Sequence, residues 1–457
     1  MSGTTQTPAE IIEQVRASSH NKVKVAVADL DGVLRGKYIN KAKFLSAAES
    51  GFGFCTVVFG WDCADVCYDN VDFTGWHTGY PDVEAHIDLS TFRTVPWDDN
   101  VPFFLADFHD GKGKSLEVCP RQLLKTVVQR ANDAGYSPSM GFEFEFFNFR
   151  ETPHSLHEKG FRNLEPLTPG MFGYSLLRAS ANQEYFAALM DDMFDFGVPL
   201  EGLHTETGPG VFEAAILYSK AVEAADRAIL FKAAAKEIGG GFGIVPTFMA
   251  KISPELPGCS GHLHQSVWTM DGKQNLFFDE QDPLKMGETF KHYLAGQMHC
   301  LPHILPFFAP TVNSFKRLVE GMWAPTKVTW GADNRTTAFR VLAGGAKSTR
   351  LETRVPGADI NPYLAGAAAI ASGMYGIQNK LELTEERITG NGYAVKDAVT
   401  LPRNLLEATE NMMRSEVARE MFGNEFIDHF GNSRLWECRE FQKSVSDWEL
   451  QRYFEIV

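Results

Sequence analysis

The sequence predicts an α+β protein of two domains, a small β-rich domain over residues 1–113 and a larger mixed domain over residues 114–457. The length of 457 residues is about three times the ~150 residues of a typical domain. The first third contains short apolar runs separated by Gly, Pro, Asp and Asn, a pattern typical of strands. After DGKGKS at 110–115, the best candidate for a linker, helical patterns alternate with strand-like runs, which favours a mixed second domain.

The first domain is expected to begin with a β-hairpin. Val23, Val25 and Val27 alternate on one face, a turn follows at Asp31-Gly32, and VLRGKYI continues as the second strand. Strand-like runs follow in VVFGWD, HIDLSTFRTVPW and VPFFLADFHD, and few long helical periods interrupt them.

The same hairpin contains a motif with a second interpretation. VAVADLDGVL is similar to the first motif of the haloacid-dehalogenase phosphatases, which would make Asp29 a nucleophile. That family also needs a later lysine and a paired acidic motif after an apolar strand, whereas Asp191-Asp192 lies in a helix-like segment. A hairpin whose turn contains Asp-Gly explains the motif with fewer assumptions.

The second domain is expected to begin with a helix, because Pro120 can occupy a first helical turn and apolar residues recur at helical spacing up to Gly135. Further helices are predicted at 182–196, 219–238, 282–300 and 361–379, and near the C-terminus. The strand-like runs between them are MGFEFEFFNF, VFEAAIL, IVPTFMA, GHLHQSVW, TAFRVL and RLETRV.

Composition narrows the class of partner. Lys and Arg number 43 against 58 Asp and Glu, and the net charge of −15 disfavours nucleic acid and anionic membrane surfaces and suits cations, metals or amines. We find neither a signal peptide nor an 18-residue apolar run. The seven cysteines have no zinc-ribbon spacing, which predicts reduced thiols in a cytoplasmic protein.

Two glutamates lie close together in GFEFEFFNF at 141–149. Because successive strand residues point to opposite faces, Glu143 and Glu145 should share one face while Phe144 and Phe146 point to the other. One such pair on its own could be ordinary strand exposure, and further acidic motifs are needed to indicate a site.

Three other motifs contain further acidic residues and two histidines. HTETGPGVFEAAI places Glu206 and Glu213 on either side of a Gly-Pro-Gly turn, GCSGHLHQS places His262 and His264 on one strand face, and RLETR contains Glu352. Each has an ordinary structural interpretation, such as a salt bridge or a buried histidine. Together, five carboxylates with one or two imidazoles suit Mg²⁺ or Mn²⁺, and they predict a two-metal site.

A dense positive set follows the acidic motifs. Its seven members lie within 39 residues, among asparagine and glycines, at a spacing better suited to loops and strand ends that meet an anion than to a solvated helix. They are Lys316, Arg317, Arg335, Arg340, Lys347, Arg350 and Arg354. Metal ligands with an arginine set indicate phosphoryl transfer, and the absence of a GxxxxGK[ST] motif excludes a P-loop enzyme.

These motifs, in this order, resemble glutamine synthetase and its relatives, the γ-glutamyl-amine ligases. The resemblance runs from about residue 22 to the C-terminal region and is strongest over 141–363. It implies a β-grasp N-terminal domain, a catalytic domain with a curved antiparallel sheet flanked by helices, and rings of six or twelve subunits with active sites between neighbours. It also implies an ATP-dependent ligase that activates glutamate as γ-glutamyl phosphate.

The resemblance carries site residues over by motif. Two Mg²⁺ or Mn²⁺ ions would be bound, the first by Glu145, Glu206 and Glu213 and the second by Glu143, His262 and Glu352. The residues implied to contact ATP are Tyr218, His264, Ser266, Arg335, Arg340, Lys347 and Arg350. Those implied to hold glutamate are Glu145, Gly258, Arg317 and Arg354, and the catalytic arginines would be Arg317, Arg335 and Arg354.

One motif departs from the family pattern. Ammonia-using members have a flap of the form KRL-x-x-G-x-Glu-A-P, but here KRLVEGMWAP places Trp323 where that glutamate stands. The N-terminal aspartate of the ammonium site, which follows Phe in the family, is also missing, because Gly60 follows Phe59. An indole cannot accept a proton, although it packs against apolar groups and attracts cations. We therefore expect a larger primary amine, such as an alkyl monoamine or aniline.

Three alternatives stay open at this point. Asp62 and Glu320 could recover a carboxylate in the amine pocket, which would suit a diamine. Ammonia could still be the acceptor if a proton acceptor came from elsewhere. A non-catalytic scaffold or sensor with this fold is disfavoured because all six implied metal ligands are present. The region around Tyr393 is a poor match to the family's adenylylation segment.

Overall fold

The structure, a computed structural model, describes residues 6–110 and 114–457. Three residues of the predicted linker DGKGKS, 111–113, lie outside the described residues. The helices are α1 Pro8–Ala17, α2 Lys41–Ser50, α3 Pro120–Asp133, α4 Pro153–Glu158, α5 Leu176–Ala181, α6 Gln183–Asp195, α7 Ala221–Gly241, α8 Glu288–Ile304, α9 Ser314–Arg317, α10 Pro362–Gln378, α11 Leu405–Arg414, α12 Glu416–Phe422, α13 Asn424–Gln442 and α14 Asp447–Tyr453.

The strands belong to two sheets. They are β1 Lys22–Ala28, β2 Leu34–Asn40, β3 Phe52–Cys55, β4 Asp82–Ile87, β5 Arg93–Val95, β6 Val101–His109, β7 Ser137–Phe149, β8 Leu200–Thr205, β9 Val211–Ile216, β10 Ser219–Lys220, β11 Val245–Thr247, β12 Gly261–Trp268, β13 Trp330–Ala332, β14 Phe339–Leu342 and β15 Arg350–Thr353. Over the described residues, no helix combines the length and the apolar composition that crossing a bilayer requires.

In the described residues, the first sheet has six strands in the order β2-β1-β6-β4-β3, with β5 paired to β6. The predicted hairpin is confirmed as the antiparallel pair β1 and β2. Asp29 shapes its turn, because its carboxylate accepts hydrogen bonds from the N–H groups of Asp31 and Val33 and from Arg35. Strands β1 and β6 run parallel, and the β-grasp assignment stays a prediction.

One strand prediction in this region is wrong. In place of a strand in VVFGWD, residues Thr56–Phe59 form a short 3₁₀ helix. The Gly60 N–H closes it by donating to the Val57 carbonyl at 2.8 Å, while Val58 is buried in the core. A short apolar run does not distinguish a buried strand from a buried turn, so tertiary packing decided the outcome.

Helices α1 and α2 also lie in the first third, where few long helical periods were expected. Thr7 and Glu10 form a capping box at the start of α1, and Pro8 occupies its first turn. Asn40 caps α2 by accepting a hydrogen bond from the Lys43 N–H. These caps are visible in the sequence and could have predicted both helices.

The second sheet carries the candidate site. Its nine strands, within the described residues, follow the order β13-β14-β15-β12-β7-β9-β8, with β10 and β11 also paired to β7. All of its pairs are antiparallel except β13 with β14. Helices α3, α7, α8 and α10 correspond to predicted helices. Helix α8 was predicted to begin at residue 282, but it begins at Glu288, after Pro283 and Gly287. The strand predicted for IVPTFMA is short, Val245–Thr247.

A buried ionic network joins the first sheet to the helices behind the second. Arg121, on α3, pairs with Asp107 of β6 at 2.8 Å and with Asp226 of α7 at 2.8 Å. The Tyr363 hydroxyl donates to Asp226 at 2.6 Å. All of these side chains are buried, so each charge depends on its partner for stabilisation.

Candidate active site

The strand register places the predicted ligands on one face of the second sheet. Glu143 of β7 lies opposite His262 of β12, and Glu145 lies opposite Glu213 of β9. Phe144, between the two glutamates, is fully buried on the other face. The alternation predicted from GFEFEFFNF therefore places two carboxylates beside residues from two neighbouring strands.

Glu206 reaches the same place from the end of β8. Its N–H donates to the Val211 carbonyl across the turn at 2.8 Å. Carboxylate oxygen Oε1 accepts hydrogen bonds from the Thr207 N–H and hydroxyl, both at 2.9 Å. The second oxygen, Oε2, is buried and has no hydrogen-bond partner. A buried carboxylate oxygen without a partner lowers the stability of the fold, and it is well suited to bind a cation.

His262 has a similarly free nitrogen. Its Nδ1 lies 3.1 Å from Glu143 Oε1 and 3.4 Å from Glu352 Oε1, so Nδ1 carries a proton and donates it. Nε2 is buried without a partner. Burial, together with the Arg354 guanidinium, lowers the pKa of His262, which favours a neutral imidazole with a lone pair available for a metal ion.

The carboxylates of the site experience opposite electrostatic surroundings. Burial, together with neighbouring Glu143 and Glu145, raises the pKa of Glu213 to about 8 against the opposing effect of His204. Burial also acts to raise the pKa of Glu352, but nearby cationic groups outweigh it and hold this pKa at about 2. The two guanidinium groups paired with Glu352 are Arg340, at 3.0 Å, and Arg354, at 2.5 Å.

The six predicted metal ligands gather around one cavity of about 610 Å³. Glu143, His262 and Glu352 offer ligand atoms within 4.8 Å of one another, as do Glu145, Glu213 and His262. The unpartnered atoms on Glu206 and His262 fit divalent cations. The buried, closely spaced carboxylates that raise the pKa of Glu213 also fit them, because a cation would offset the repulsion between these groups. The sequence predicted that these six residues meet, and the structure places them around one cavity. Their roles as metal ligands stay predictions.

The residues predicted to hold glutamate line the same cavity. Arg317 is 2% exposed, and it donates to the backbone carbonyls of Val355 and Arg354 at 2.9 and 3.2 Å. Gly258 packs so closely that an added Cβ would lie 2.7 Å from Arg317 Cγ. Glu145 accepts a hydrogen bond from the Ser260 N–H at 2.7 Å.

The residues predicted to contact ATP divide between two adjoining cavities. Five of them line a smaller cavity of about 220 Å³: Tyr218, His264, Ser266, Lys347 and Arg350. Arg335 and Arg340 line the larger cavity. Glu143, His264 and Arg350 line both, so the two cavities meet at this point. Arg350 donates to His264 Nδ1 at 3.3 Å there.

Among the three residues predicted for the amine pocket, Trp323 alone lines this cavity. Its backbone has a φ of 59°, in the left-handed region that bulky residues rarely adopt. Glu320 instead lies 3.5 Å from Lys327. Asp62 accepts hydrogen bonds from two backbone N–H groups and from the Trp436 indole at 2.9 Å, so within one chain neither carboxylate reaches the cavity.

Among the residues of the site that sequence reasoning missed are Tyr174, Glu201 and His204. Tyr174 lines the larger cavity and Glu201 lines the smaller one. His204 lies 3.0 Å from Glu213 and 3.7 Å from Glu206. Its spacing of two residues before Glu206 in HTET could have revealed it, because i and i+2 share a strand face. No comparable signal in the sequence indicates Tyr174 or Glu201.

Comparison with known proteins identifies the family of the chain. Residues 117–453 match the family described as "Glutamine synthetase, catalytic domain". The chain is 54% identical, over 98% of its length and 86% of the relative's, to "Type-1 glutamine synthetase 2" of Dictyostelium discoideum. It is 37% identical to "Glutamate--isopropylamine ligase" of a Pseudomonas species, over 95% of both chains.

A solved structure has the same fold. The "GmaS/ADP complex-Conformation 1" superposes with a TM-score of 0.85 and 27% identity, covering 97% of this chain and 99% of the other. The strand order, the clustered site and these matches together show that the chain belongs to the glutamine synthetase family and is an ATP-dependent ligase.

Proposed function

We propose that this ligase joins the γ-carboxyl group of L-glutamate to a primary amine larger than ammonia, an alkyl monoamine or an arylamine such as aniline. The observation that carries the proposal is Trp323, which presents an indole to the cavity where ammonia-using members of the family have a glutamate. The name of the Pseudomonas relative, a glutamate–isopropylamine ligase, supports an alkylamine.

In this proposal the gathered acidic residues bind two divalent cations, Mg²⁺ or Mn²⁺. The first site consists of Glu145, Glu206 and Glu213, and the second of Glu143, His262 and Glu352. When bound, such ions neutralise charge on the transferred phosphoryl group and its bridging oxygen. The free atoms Glu206 Oε2 and His262 Nε2 support this assignment.

The first chemical step activates glutamate. Arg317, Gly258 and Arg354 hold the substrate glutamate with Glu145, and the γ-carboxylate oxygen attacks the γ-phosphorus of ATP, so that ADP leaves and an acyl phosphate forms. Arg335 and Arg340 stabilise the charge on the phosphoryl oxygens. Residues proposed to bind the nucleotide line the smaller cavity or its mouth: Tyr218, His264, Ser266, Lys347 and Arg350.

The second step forms the amide. The amine nitrogen attacks the acyl carbon, the bond to the phosphate oxygen breaks, and the nitrogen loses a proton to the departing inorganic phosphate or to water. Trp323 is 56% exposed, so its indole face is available to an apolar substituent and to an approaching ammonium group. Met322 lines the cavity beside it, which adds apolar surface and favours a substituent over ammonia.

The proposal is tested by measuring ADP release with glutamate, ATP and a panel containing ammonium, alkylamines and aniline. We expect the best organic amine to exceed ammonium in kcat/KM, and Trp323→Glu to shift the preference toward ammonium. Trp448→Glu is the matched control, because Trp448 is 60% exposed and lies outside both cavities. Equal use of ammonium and the best amine by the wild type would refute the acceptor assignment.

Ammonia is the second candidate acceptor, favoured by the 54% identity to a protein named as a glutamine synthetase. The amine panel decides between the two. A non-catalytic scaffold would release no ADP with any amine, while a ligase should show metal-dependent ATP binding in a thermal-shift assay.

We also propose a cytoplasmic hexamer or dodecamer with active sites between subunits. In such a ring a neighbouring chain could bring Asp62 toward the cavity. Light scattering measures the subunit number, and a stable monomer that releases ADP with an amine would contradict the shared site.

A further inference from the structure

His204 lies against two of the proposed metal ligands without being one of the six. In the antiparallel pair β8 and β9 it is directly opposite Glu213. Its Nε2 lies 3.0 Å from Glu213 Oε1, and its Nδ1 lies 3.7 Å from Glu206 Oε2. The ligand atoms of these three residues all fall within 4.8 Å of one another. The imidazole therefore contacts Glu213 at hydrogen-bond distance and lies beside Glu206, between the two carboxylates that approach the site from β8 and β9.

Two contacts hold the orientation of this ring, and a third fixes the residue that stacks on it. His204 Nδ1 lies 3.1 Å from the Thr205 carbonyl, which can only accept, so Nδ1 donates. Tyr174 donates its own N–H to the same carbonyl at 2.6 Å. The Tyr174 ring also stacks on the imidazole, with centroids 4.4 Å apart and planes at 27°. Nε2 is therefore directed at Glu213.

The Tyr174 backbone is itself restrained. Its φ of 53° lies in the left-handed region, which bulky residues occupy only where surrounding contacts hold them. Ser175 N–H donates to Thr205 Oγ1 at 2.8 Å, and that hydroxyl donates to the Phe172 carbonyl at 3.2 Å. The loop before α5 is thus attached to the end of β8, directly beside Glu206.

We propose that His204 is a positioning residue for the metal site, which holds Glu213 and Glu206 at the separation that one divalent cation requires, with Tyr174 as the support of its ring. The inference rests on the proposed function, since it takes Glu206 and Glu213 as ligands of the first metal ion. Residues that orient ligands in this way typically change metal affinity by about 10- to 100-fold when they are replaced.

The experiment measures Mn²⁺ binding to the full chain saturated with ADP, by the electron paramagnetic resonance signal of free Mn²⁺. We expect His204→Ala to raise the Mn²⁺ Kd of one of the two binding classes by about 10- to 100-fold and to leave the other nearly unchanged. His204→Gln keeps a side-chain donor and should recover most of the affinity. Tyr174→Leu, which keeps bulk but removes the stacked ring, should give a smaller loss.

The matched control is His86→Ala. His86 also pairs with a glutamate two residues away in a strand, Glu84, at 3.3 Å, but it belongs to the first sheet. Its replacement should leave the Mn²⁺ Kd unchanged. A steady-state comparison adds a second readout: His204→Ala should raise the KM for metal more than it lowers kcat at saturating metal.

The outcomes separate this inference from the proposed function. No Mn²⁺ binding by the wild type would refute the proposed metal site itself. Wild-type binding with an unchanged Kd in His204→Ala would refute the positioning role alone. If His204→Gln loses as much affinity as His204→Ala, the imidazole binds metal directly and the positioning role is wrong. Because no amine takes part, the result does not depend on the identity of the acceptor.

Discussion

Glutamine substitutions at Glu213 and Glu352 should change the stability of the metal-free protein in opposite directions. Glu352 is 1% exposed and lies among cationic groups. Glu213 is buried near two other carboxylates, Glu143 and Glu145, and burial with these carboxylates outweighs the effect of His204. Charge on Glu352 stabilises the fold, whereas the fold disfavours charge on Glu213, so that folding at pH 7 requires Glu213 to take up a proton.

The magnitudes follow from the two pKa values. The folded pKa of Glu352, about 2, lies below its ordinary 4.5, so its stabilising effect is present above pH 4.5 and is lost as the pH falls toward 2. This difference corresponds to about 3 kcal/mol at pH 7. The folded pKa of Glu213, about 8, lies above 4.5. Its contribution is fully present below pH 4.5 and is lost as the pH rises through 8, which leaves a penalty of up to about 3 kcal/mol at pH 7.

The assay is urea unfolding at pH 7 in the presence of EDTA. Glu352→Gln should lower the free energy of unfolding by about 3 kcal/mol, while Glu213→Gln should raise it by up to about 3 kcal/mol. Glu84→Gln, on the first sheet, controls for loss of a carboxylate elsewhere. Added Mn²⁺ should stabilise the wild type, by about 2.7 kcal/mol at 100 times Kd, and stabilise both site variants much less.

Two results would refute this reasoning. If both glutamine variants shift the unfolding midpoint in the same direction, the two carboxylates do not have opposite surroundings. If Mn²⁺ stabilises Glu213→Gln as strongly as the wild type, Glu213 is not a ligand.

Three further predictions concern single residues. Gly258→Ala should raise the KM for glutamate at least tenfold with little change for ATP, because its Cβ would overlap Arg317; an unchanged glutamate KM in steady-state kinetics would contradict this. Arg121→Met should lower the free energy of unfolding in urea by about 3–5 kcal/mol, because it leaves buried Asp226 without its paired cation and leaves Asp107 with Lys125 alone; an unchanged midpoint would count against it. Burial lowers the pKa of His429 from 6.5 to about 4, so stability is lost as the pH falls between those values. His429→Gln should lose less stability than the wild type between pH 7 and pH 4, and equal losses would disprove the assignment.

Local patterns predicted much of the fold and the way in which several candidate site residues come to share one face. The period of two in GFEFEFFNF placed Glu143 and Glu145 on one face, and the turn in HTETGPGVFEAAI returned Glu213 toward Glu206. Pro120 marked the start of α3. Such inferences succeed because strand alternation, turn chemistry and helix capping depend on neighbours within a few residues.

Other features depend on contacts between distant parts of the chain. Asp62 was predicted for the amine pocket, and within one chain its carboxylate instead accepts a hydrogen bond from the Trp436 indole, 374 residues away in sequence. His204 entered the site through its pairing with Glu213, and Tyr174 through a loop that binds the end of β8. No local period encodes which residues lie opposite one another across strands.

The amino-acid order thus supplies the chemical groups, their approximate faces and the motifs that indicate a metal-dependent ligase. Strand register and loop anchoring then set which groups share a cavity, which oxygen stays without a partner, and whether a carboxylate such as Glu213 or Glu352 meets like or opposite charge. Electrostatic energies vary with distance and burial, and both quantities arise only when segments far apart in the chain pack together.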